Sequence, residues 1–247
     1  MKQKKRLDLV LQESYPQLSR QQIQSFILQG NVQINDVVQT KSGTQISESD
    51  KVVLLKTEQK YVSRAGYKLE YALDTFGIDV KGLTVLDAGV STGGFSDCML
   101  QRGIARIHGV DVGYGQTVNK VRSDSRVILH ERTNLRHITK DTIGELVDLV
   151  TLDLSFISIL KVLDAVKSVL KPNGLLVTLI KPQFEAAKHE VGAGGIVRND
   201  EIRERIAKQV VDGIVNAGFI CYGFCESVIQ GTDGNREYVA WFSRAVK

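Results

Sequence analysis

The sequence predicts an α/β protein, a mostly parallel, doubly wound sheet of seven strands preceded by a small α+β module. Three observations carry that expectation. From residue 83 onward, short apolar runs rich in β-branched residues alternate with amphipathic segments, the rhythm of strand, crossover helix and strand. The first of these runs, Leu83 to Leu86, breaks into a glycine-rich turn, Asp87-Ala-Gly89-Val-Ser91-Thr92-Gly93-Gly94-Phe95, ahead of a helical segment that ends near Arg102. Residues 1–60 have a different texture, with short elements and an excess of positive charge.

The bulk properties narrow the class. At 247 residues the chain accommodates a small module, placed at 1–59, and a full α/β domain at 60–247. Hydrophobic content of 43% and charged content of 24% are those of a globular protein. The longest near-apolar stretch, Leu175 to Ile180, is far shorter than a membrane helix, and Asp8 and Gln12-Glu13 interrupt any signal-peptide core behind the basic Met1 to Arg6. A cytoplasmic location is expected, with no membrane and no evident protein partner. Cys98, Cys221 and Cys225 show no metal-knuckle spacing, and His108, His130, His137 and His189 are scattered, so no metal site is expected. Net charge is +4 with a pI of about 8.9. Residues 1–60 hold nine Lys/Arg against six Asp/Glu, leaving twenty-three against twenty-two beyond, so a polyanionic partner is expected at the front.

In chain order, Leu7, Val10 and Leu11 form one face of a short helix that Tyr15-Pro16 ends. Ser19 caps a second helix with an apolar stripe of Ile23, Phe26 and Ile27, and Gly30 terminates it. Val32 to Ile34 and Val37-Val38 read as a hairpin joined by Asn35-Asp36, and Lys51 to Leu55 as a third strand. Lys56 to Lys60 reads as a linker. Ser63 then caps a helix that runs through Phe76. Further strands are expected at Arg106 to Val110, Val127 to His130, Val147 to Leu152, Leu175 to Ile180, Phe219 to Glu226 and Glu237 to Ser243. Ala186 to Asn199, with three glycines, reads as a loop able to act as a lid before the helix Asp200 to Asn216.

The glycine turn is the expected ligand site. Ser91 or Thr92 caps the following helix, whose first amides offer unpaired donors, and the glycines let backbone approach a ligand. Asp111, at the tip of the second strand, is placed to take ribose hydroxyls. The dinucleotide fingerprint Gly-x-Gly-x-x-Gly is absent, because Ser91 stands two residues after Gly89. Asp-x-Gly-x-x-x-Gly-Gly instead resembles the first motif of S-adenosylmethionine-dependent methyltransferases, which implies a Rossmann-like fold and S-adenosyl-L-methionine as cofactor. It implies contacts from Asp87, Gly89, Ser91, Thr92, Gly93, Gly94, Phe95, Asp111 and Asp153, with Asn134 near the adenine.

Two further resemblances follow. Arg6-Leu-Asp8, Ser19-Arg20, Gly30-x-Val32-x-Ile34-Asn35 and Asp50-x-Val52 resemble the S-four RNA-binding domain, implying phosphate contacts from Arg6, Ser19, Arg20 and Lys41, aided by the Lys2 to Lys5 tail. The second helix departs from that pattern with Gln21, Gln22, Gln24 and Leu28 in place of basic residues, and Asp36 replaces a usual glycine. Ser63-Arg64-x-x-x-Lys68-Leu69 resembles the lead-in of FtsJ-type RNA ribose methyltransferases, adding Arg64 to the RNA contacts.

Lys68, Asp153, Lys181 and Glu237, in that order and each within a matching local motif, resemble the catalytic tetrad of FtsJ-like 2′-O-methyltransferases. The whole chain is similar to the TlyA family of ribosomal RNA cytidine 2′-O-methyltransferases, whose members are also labelled haemolysins. The resemblance implies ribosomal RNA or a ribosomal subunit as partner. A ribose hydroxyl is a weak nucleophile, and a lysine can remove its proton only if its pKa falls well below about 10.4. Lys181 is the expected base, with Lys68 beside it, Asp153 orienting Lys181 and Glu237 fixing Lys68, although the two lysines could exchange roles. A membrane-active haemolysin and an inactive RNA-binding regulator are the alternatives.

Overall fold

The computed structural model describes residues 4–28, 30–55, 60–231 and 234–245, the side chains at 21, 25 and 28 excepted. The linker call at 56–59, Lys2 of the basic tail and the exposed faces expected of Gln21 and Leu28 therefore lie outside what is described. The chain divides into two compact units, Met1–Lys60 and Tyr61–Lys247.

The first unit runs β1 (Lys5–Arg6), α1 (Leu7–Ser14), α2 (Arg20–Leu28), β2 (Val32–Ile34), β3 (Val37–Val38), β4 (Gln45–Ile46) and β5 (Val52–Leu54). Strand β2 lies between β3 and β5, and β1 pairs with β4 in a separate ribbon. The ribbon has no counterpart in the sequence reading, because each of its strands is two residues long and carries no alternation to detect. Leu7, Leu11, Ile23, Phe26, Ile27 and Val32 form the core of the unit and are almost wholly buried. Ser19 Oγ accepts the Gln22 amide at 3.3 Å while Gln22 Oε1 accepts the Ser19 amide at 2.8 Å, a reciprocal cap that fixes the start of α2. Asn35 and Asp36 both take left-handed backbone, at φ 51° and 65°, as a two-residue hairpin turn demands.

A buried acid organises this unit. Asp8, with no solvent exposure, accepts Nε and Nη2 of Arg6 at 2.9 and 3.0 Å, Nη2 of Arg20 at 3.0 Å and Nε2 of Gln24 at 2.9 Å. Burial works to raise its pKa, but the bonds from Arg6, Gln24 and Arg20 outweigh it and hold the carboxyl far below the usual carboxylate range.

The second unit continues with α3 (Arg64–Phe76), β6 (Thr84–Ala88), α4 (Gly94–Gln101), β7 (Arg106–Val110), α5 (Asn119–Arg122), β8 (Val127–His130), α6 (Lys140–Ile143) and β9 (Val147–Leu152). It closes with α7 (Leu163–Val169), β10 (Leu170–Ile180), α8 (Pro182–Glu185), α9 (Asp200–Asn216), β11 (Phe219–Glu226) and β12 (Tyr238–Arg244). The sheet order is β11-β12-β10-β9-β6-β7-β8. Only β12 runs against its neighbours; the ladders from β10 through β8 are all parallel. Apolar cores cover both faces, one including Leu86, Val150 and Ala207, the other Val85, Leu149 and Leu69. That double coverage explains why the central strands read as unbroken apolar runs.

Three local expectations are corrected, and a fourth segment gains contacts that the sequence did not show. Ser63 occupies the N-cap position of α3 in extended backbone, but its side chain makes no capping bond. Helix α4 is capped by neither Ser91 nor Thr92: Gly93 is its N-cap, at φ 93°. Strand β10 begins at Leu170 and not at Leu175, with a register shift before Leu175 across Pro172-Asn173-Gly174. The glycine loop after α8 is tied down: Asn235, 2% exposed, donates Nδ2 to the Gly195 carbonyl at 2.9 Å and accepts the Val197 amide at 3.1 Å.

Replacing Asp8 with alanine strips the two guanidinium groups of their acceptor. The first unit should lose about 2 kcal/mol, the scale of hydrogen bonds to a charged group, read as faster amide exchange across residues 5–54 of the full chain.

Candidate active site

Sheet register brings the chemistry together. Ile180 pairs with Tyr238, so Lys181, just past the end of β10, and Glu237, just ahead of β12, leave the sheet side by side. On the other flank Leu152 pairs with Ala88, and the Asp153 amide donates to the Ala88 carbonyl at 3.1 Å, setting Asp153 beside the glycine turn. The carboxyl ends of β6, β9 and β10 thus deliver Gly89, Asp153 and Lys181 along one edge, where open parallel sheets bind ligands.

The four predicted chemical residues form two ion pairs. Lys68 Nζ, from α3, lies 2.6 Å from Glu237 Oε2, and both side chains are buried, at 9% and 3% exposure. Lys181 Nζ lies 2.6 Å from Asp153 Oδ1, and it donates to Ser155 Oγ at 3.3 Å. Asp153 Oδ1 is itself buried, and the Lys181 ammonium is the charge that faces it. Burying a cation without a partner costs several kcal/mol, which requires that the residues be paired.

A cleft of about 550 Å³ opens beside this edge, lined by Gly89, Ser91, Asp111, Gln116, Asn134 and Asp153 on its polar side and by Val110, Val112, Leu135, Leu154 and Val162 on its apolar side. Asp111 is held facing it by two backbone donors, Ser91 N–H to Oδ2 at 2.9 Å and Gly113 N–H to Oδ1 at 2.8 Å. Asn134 Oδ1 accepts the Arg136 amide at 3.0 Å, which leaves its amide nitrogen as a donor.

Not every predicted ligand residue reaches the cleft. Asp87 is fully buried, accepting Ser96 Oγ at 2.6 Å and Thr151 Oγ1 at 3.0 Å, and it braces strand against helix beneath the turn. Gly93, Gly94 and Phe95 are buried, and Thr92 is exposed but off the cleft wall. The glycines serve packing: a Cβ on Gly89 would stand 2.6 Å from the Asp153 carbonyl oxygen, and one on Gly94 would stand 2.2 Å from Ser63 Oγ. Gly89 is thus the residue that lets β6 and β9 close up at the cleft.

Among the predicted RNA contacts, Arg6 and Arg20 are bound to Asp8 with 42% and 49% of their side chains exposed, Lys41 and Ser19 are exposed, and Arg64 opens α3. Sequence reading missed Ser155, Asn235 and the partners of Asp87, whose ordinary residue types carry no signal outside the fold. It also treated the histidines as scattered, yet His108 Nδ1 and His130 Nε2 meet at 3.1 Å and His108 Nε2 reaches Glu145 Oε1 at 3.1 Å, because β7 and β8 are neighbours. Among the described residues no group of three or more His, Cys, Asp or Glu could hold a metal ion.

Sheet order, glycine turn and cleft define the class as a Rossmann-like methyltransferase domain behind a small module. Residues 61–244 match the model of the FtsJ-like methyltransferases, and residues 5–52 match the S4 domain model. The chain belongs to the FtsJ-like methyltransferase family, in the branch whose relatives are named TlyA and hemolysin A. It is 41% identical over 239 residues to "Hemolysin A" of Brachyspira hyodysenteriae, covering 96% of this chain and 99% of that one. It is 42% identical over 224 residues to the "16S/23S rRNA (cytidine-2'-O)-methyltransferase TlyA" of Mycobacterium tuberculosis, covering 90% of this chain and 84% of that one. A solved structure from Streptococcus thermophilus, described as a candidate hemolysin, superposes with a TM-score of 0.75 at 36% identity, covering 99% of this chain and 90% of that one.

Burial pushes the Asp87 carboxyl up to about 6; the Ser96 and Thr151 hydrogen bonds oppose the rise and the charge of Asp153 adds to it. A raised folded-state value means the contribution to stability is complete below the unfolded value of 3.8 and is lost as pH rises through about 6. The difference amounts to about 3 kcal/mol. D87N should flatten the change in unfolding free energy, read from urea titrations, between about pH 4 and pH 7 by that amount; an unaltered profile would assign the titration to another group.

Proposed function

We propose that the chain transfers a methyl group from S-adenosyl-L-methionine to the ribose 2′-hydroxyl of a cytidine in ribosomal RNA.

 The nucleoside we assign is cytidine, the one printed in the name of the tuberculosis relative. The observation that carries this reading is that Asp153 belongs to two places at once, lining the cleft and pairing with Lys181, so the cofactor cleft and the buried lysine share a wall.

The residues present fit the cofactor. Asp111, with both oxygens oriented by backbone donors, would take the ribose hydroxyls; the Asn134 amide and the apolar Val110, Val112 and Leu135 would receive the adenine; and Asp153, which lines the cleft, would face the cationic end. When bound, S-adenosyl-L-methionine supplies a methyl group on a sulfonium sulfur, an electrophile open to in-line attack by oxygen. Lys181 Nζ is the atom assigned to accept the proton of the ribose hydroxyl. Asp153 and Ser155 hold that nitrogen in place. Lys68, anchored by Glu237, contributes a fixed positive charge for the hydroxyl or the neighbouring phosphate.

The first unit docks the RNA. Its Lys41, Ser19 and the exposed parts of Arg6 and Arg20 are the proposed backbone contacts, with Arg64 of the second unit as a further one, and non-specific attraction to phosphate is their physical basis. Among the described residues no helix is long and apolar enough to cross a membrane.

The test is transfer of labelled methyl to separated ribosomal subunits from a strain lacking the protein, followed by mapping of the modified ribose. K181A should lower the rate by about 10³-fold or more, within the range attributed to a positioned base, while cofactor affinity stays within about threefold. Undiminished transfer by K181A would remove Lys181 from the role of base.

A further inference from the structure

The loop after β9 is held in an unfavourable conformation by something other than its own burial. Phe156 takes left-handed backbone at φ 65°, which costs a non-glycine residue about 1 kcal/mol or more, and the residue is 91% exposed. Asp153 stands three residues before it. What constrains the loop is a series of contacts to the segment after β10: Lys181 with Asp153 and Ser155, the Phe184 ring 5.0 Å from the Phe156 ring, and finally Glu185, whose Oε1 accepts the Ile159 amide at 2.8 Å.

Glu185 closes that series. The Ile159 N–H opens a turn of 3-10 helix, Ile159–Val162, whose N-cap Ser158 serves Leu160, so Glu185 supplies the acceptor that the turn itself lacks. The carboxyl is more than half buried, and burial raises its pKa while the Ser158 hydroxyl, the Ile159 amide and the charge of Lys161 favour its ionised form. An acid held in this way at the far end of both loops fixes their separation, whereas the ion pair alone fixes it at only one point.

We infer that Glu185 is a positioning residue for methyl transfer: by accepting the Ile159 amide it locks the loop from Asp153 to Ser158 against the segment that carries Lys181. The inference rests on the reading of Lys181 as base. Glu185 touches neither substrate nor cofactor in this role, and it acts through the Asp153–Lys181 pair.

The experiment compares E185A and E185Q with wild type in the full chain. Amide exchange of peptides covering residues 153–160 reads the latch without any substrate, and steady-state methylation of ribosomal subunits reads kcat and KM. E185A should speed exchange in that segment at least tenfold and lower kcat about 10²-fold, the scale of a misplaced reacting group, with KM for S-adenosylmethionine within about twofold. E185Q keeps an acceptor oxygen and should restore both readouts to within about threefold of wild type. Unchanged exchange in E185A, or wild-type kcat despite faster exchange, would overturn the latch; so would an E185Q variant as impaired as E185A. A fully active K181A measured alongside would instead overturn the reading on which the latch depends, and the exchange data tell the two failures apart.

Discussion

Buried charge must be paired, and the second unit is arranged around that constraint. Lys68, Lys181 and Glu237 are each buried to nine-tenths or more, and Asp153 nearly so. No two of the four are neighbours in sequence. Their pairing depends on helix α3 packing against the sheet and on β12 running backwards beside β10, which brings Glu237 to the same edge as Lys181. The single reversed strand is thus what puts a carboxylate where a run of parallel strands would have brought the opposite end of the chain.

The glycine turn contributes to the same edge by what it lacks. Gly89 allows the Asp153 carbonyl to sit where a Cβ would be, and Gly94 allows α4 to meet the start of α3, the helix that carries Lys68. Beneath them Asp87 ties β6 to α4 and β9 through two hydroxyls. The turn's polar face toward the cleft then comes down to Ser91 and to Asp111, held by the Ser91 amide. A motif that looks like a ligand cradle is in large part a packing device that leaves a few groups facing the ligand.

The first unit uses its charge differently. Two of its cations, Arg6 and Arg20, are committed to Asp8, and the partial exposure of each guanidinium lets one side chain brace the fold while presenting charge outward. With glutamine at positions 22 and 24 where basic residues would strengthen phosphate contact, and Gln24 itself bound to Asp8, α2 is more a structural brace than a basic face.

The order of strands and helices and the glycine turn were legible in the chain, because strand periodicity and glycine breaks are short-range signals, while Lys68, Asp153, Lys181 and Glu237 were picked out by the resemblance of their local motifs to the FtsJ-like family. Asp111 and Asn134 were legible for the same reason, since each ends a strand or follows one closely. The sequence could not show that Asp87 is sealed away from the cleft, that α4 is capped by Gly93, or that His108 and His130 meet, because burial and contact across strands depend on which strands become neighbours. Residue type and spacing by themselves determined the fold class, and the resemblance of local motifs to a known family picked out the set of chemical groups. The tertiary structure alone decided which carboxylate partners which lysine, which glycines serve packing, and which acids face the cleft, since those follow from strand order, register and the exclusion of water, none of which is written in any local stretch of the chain.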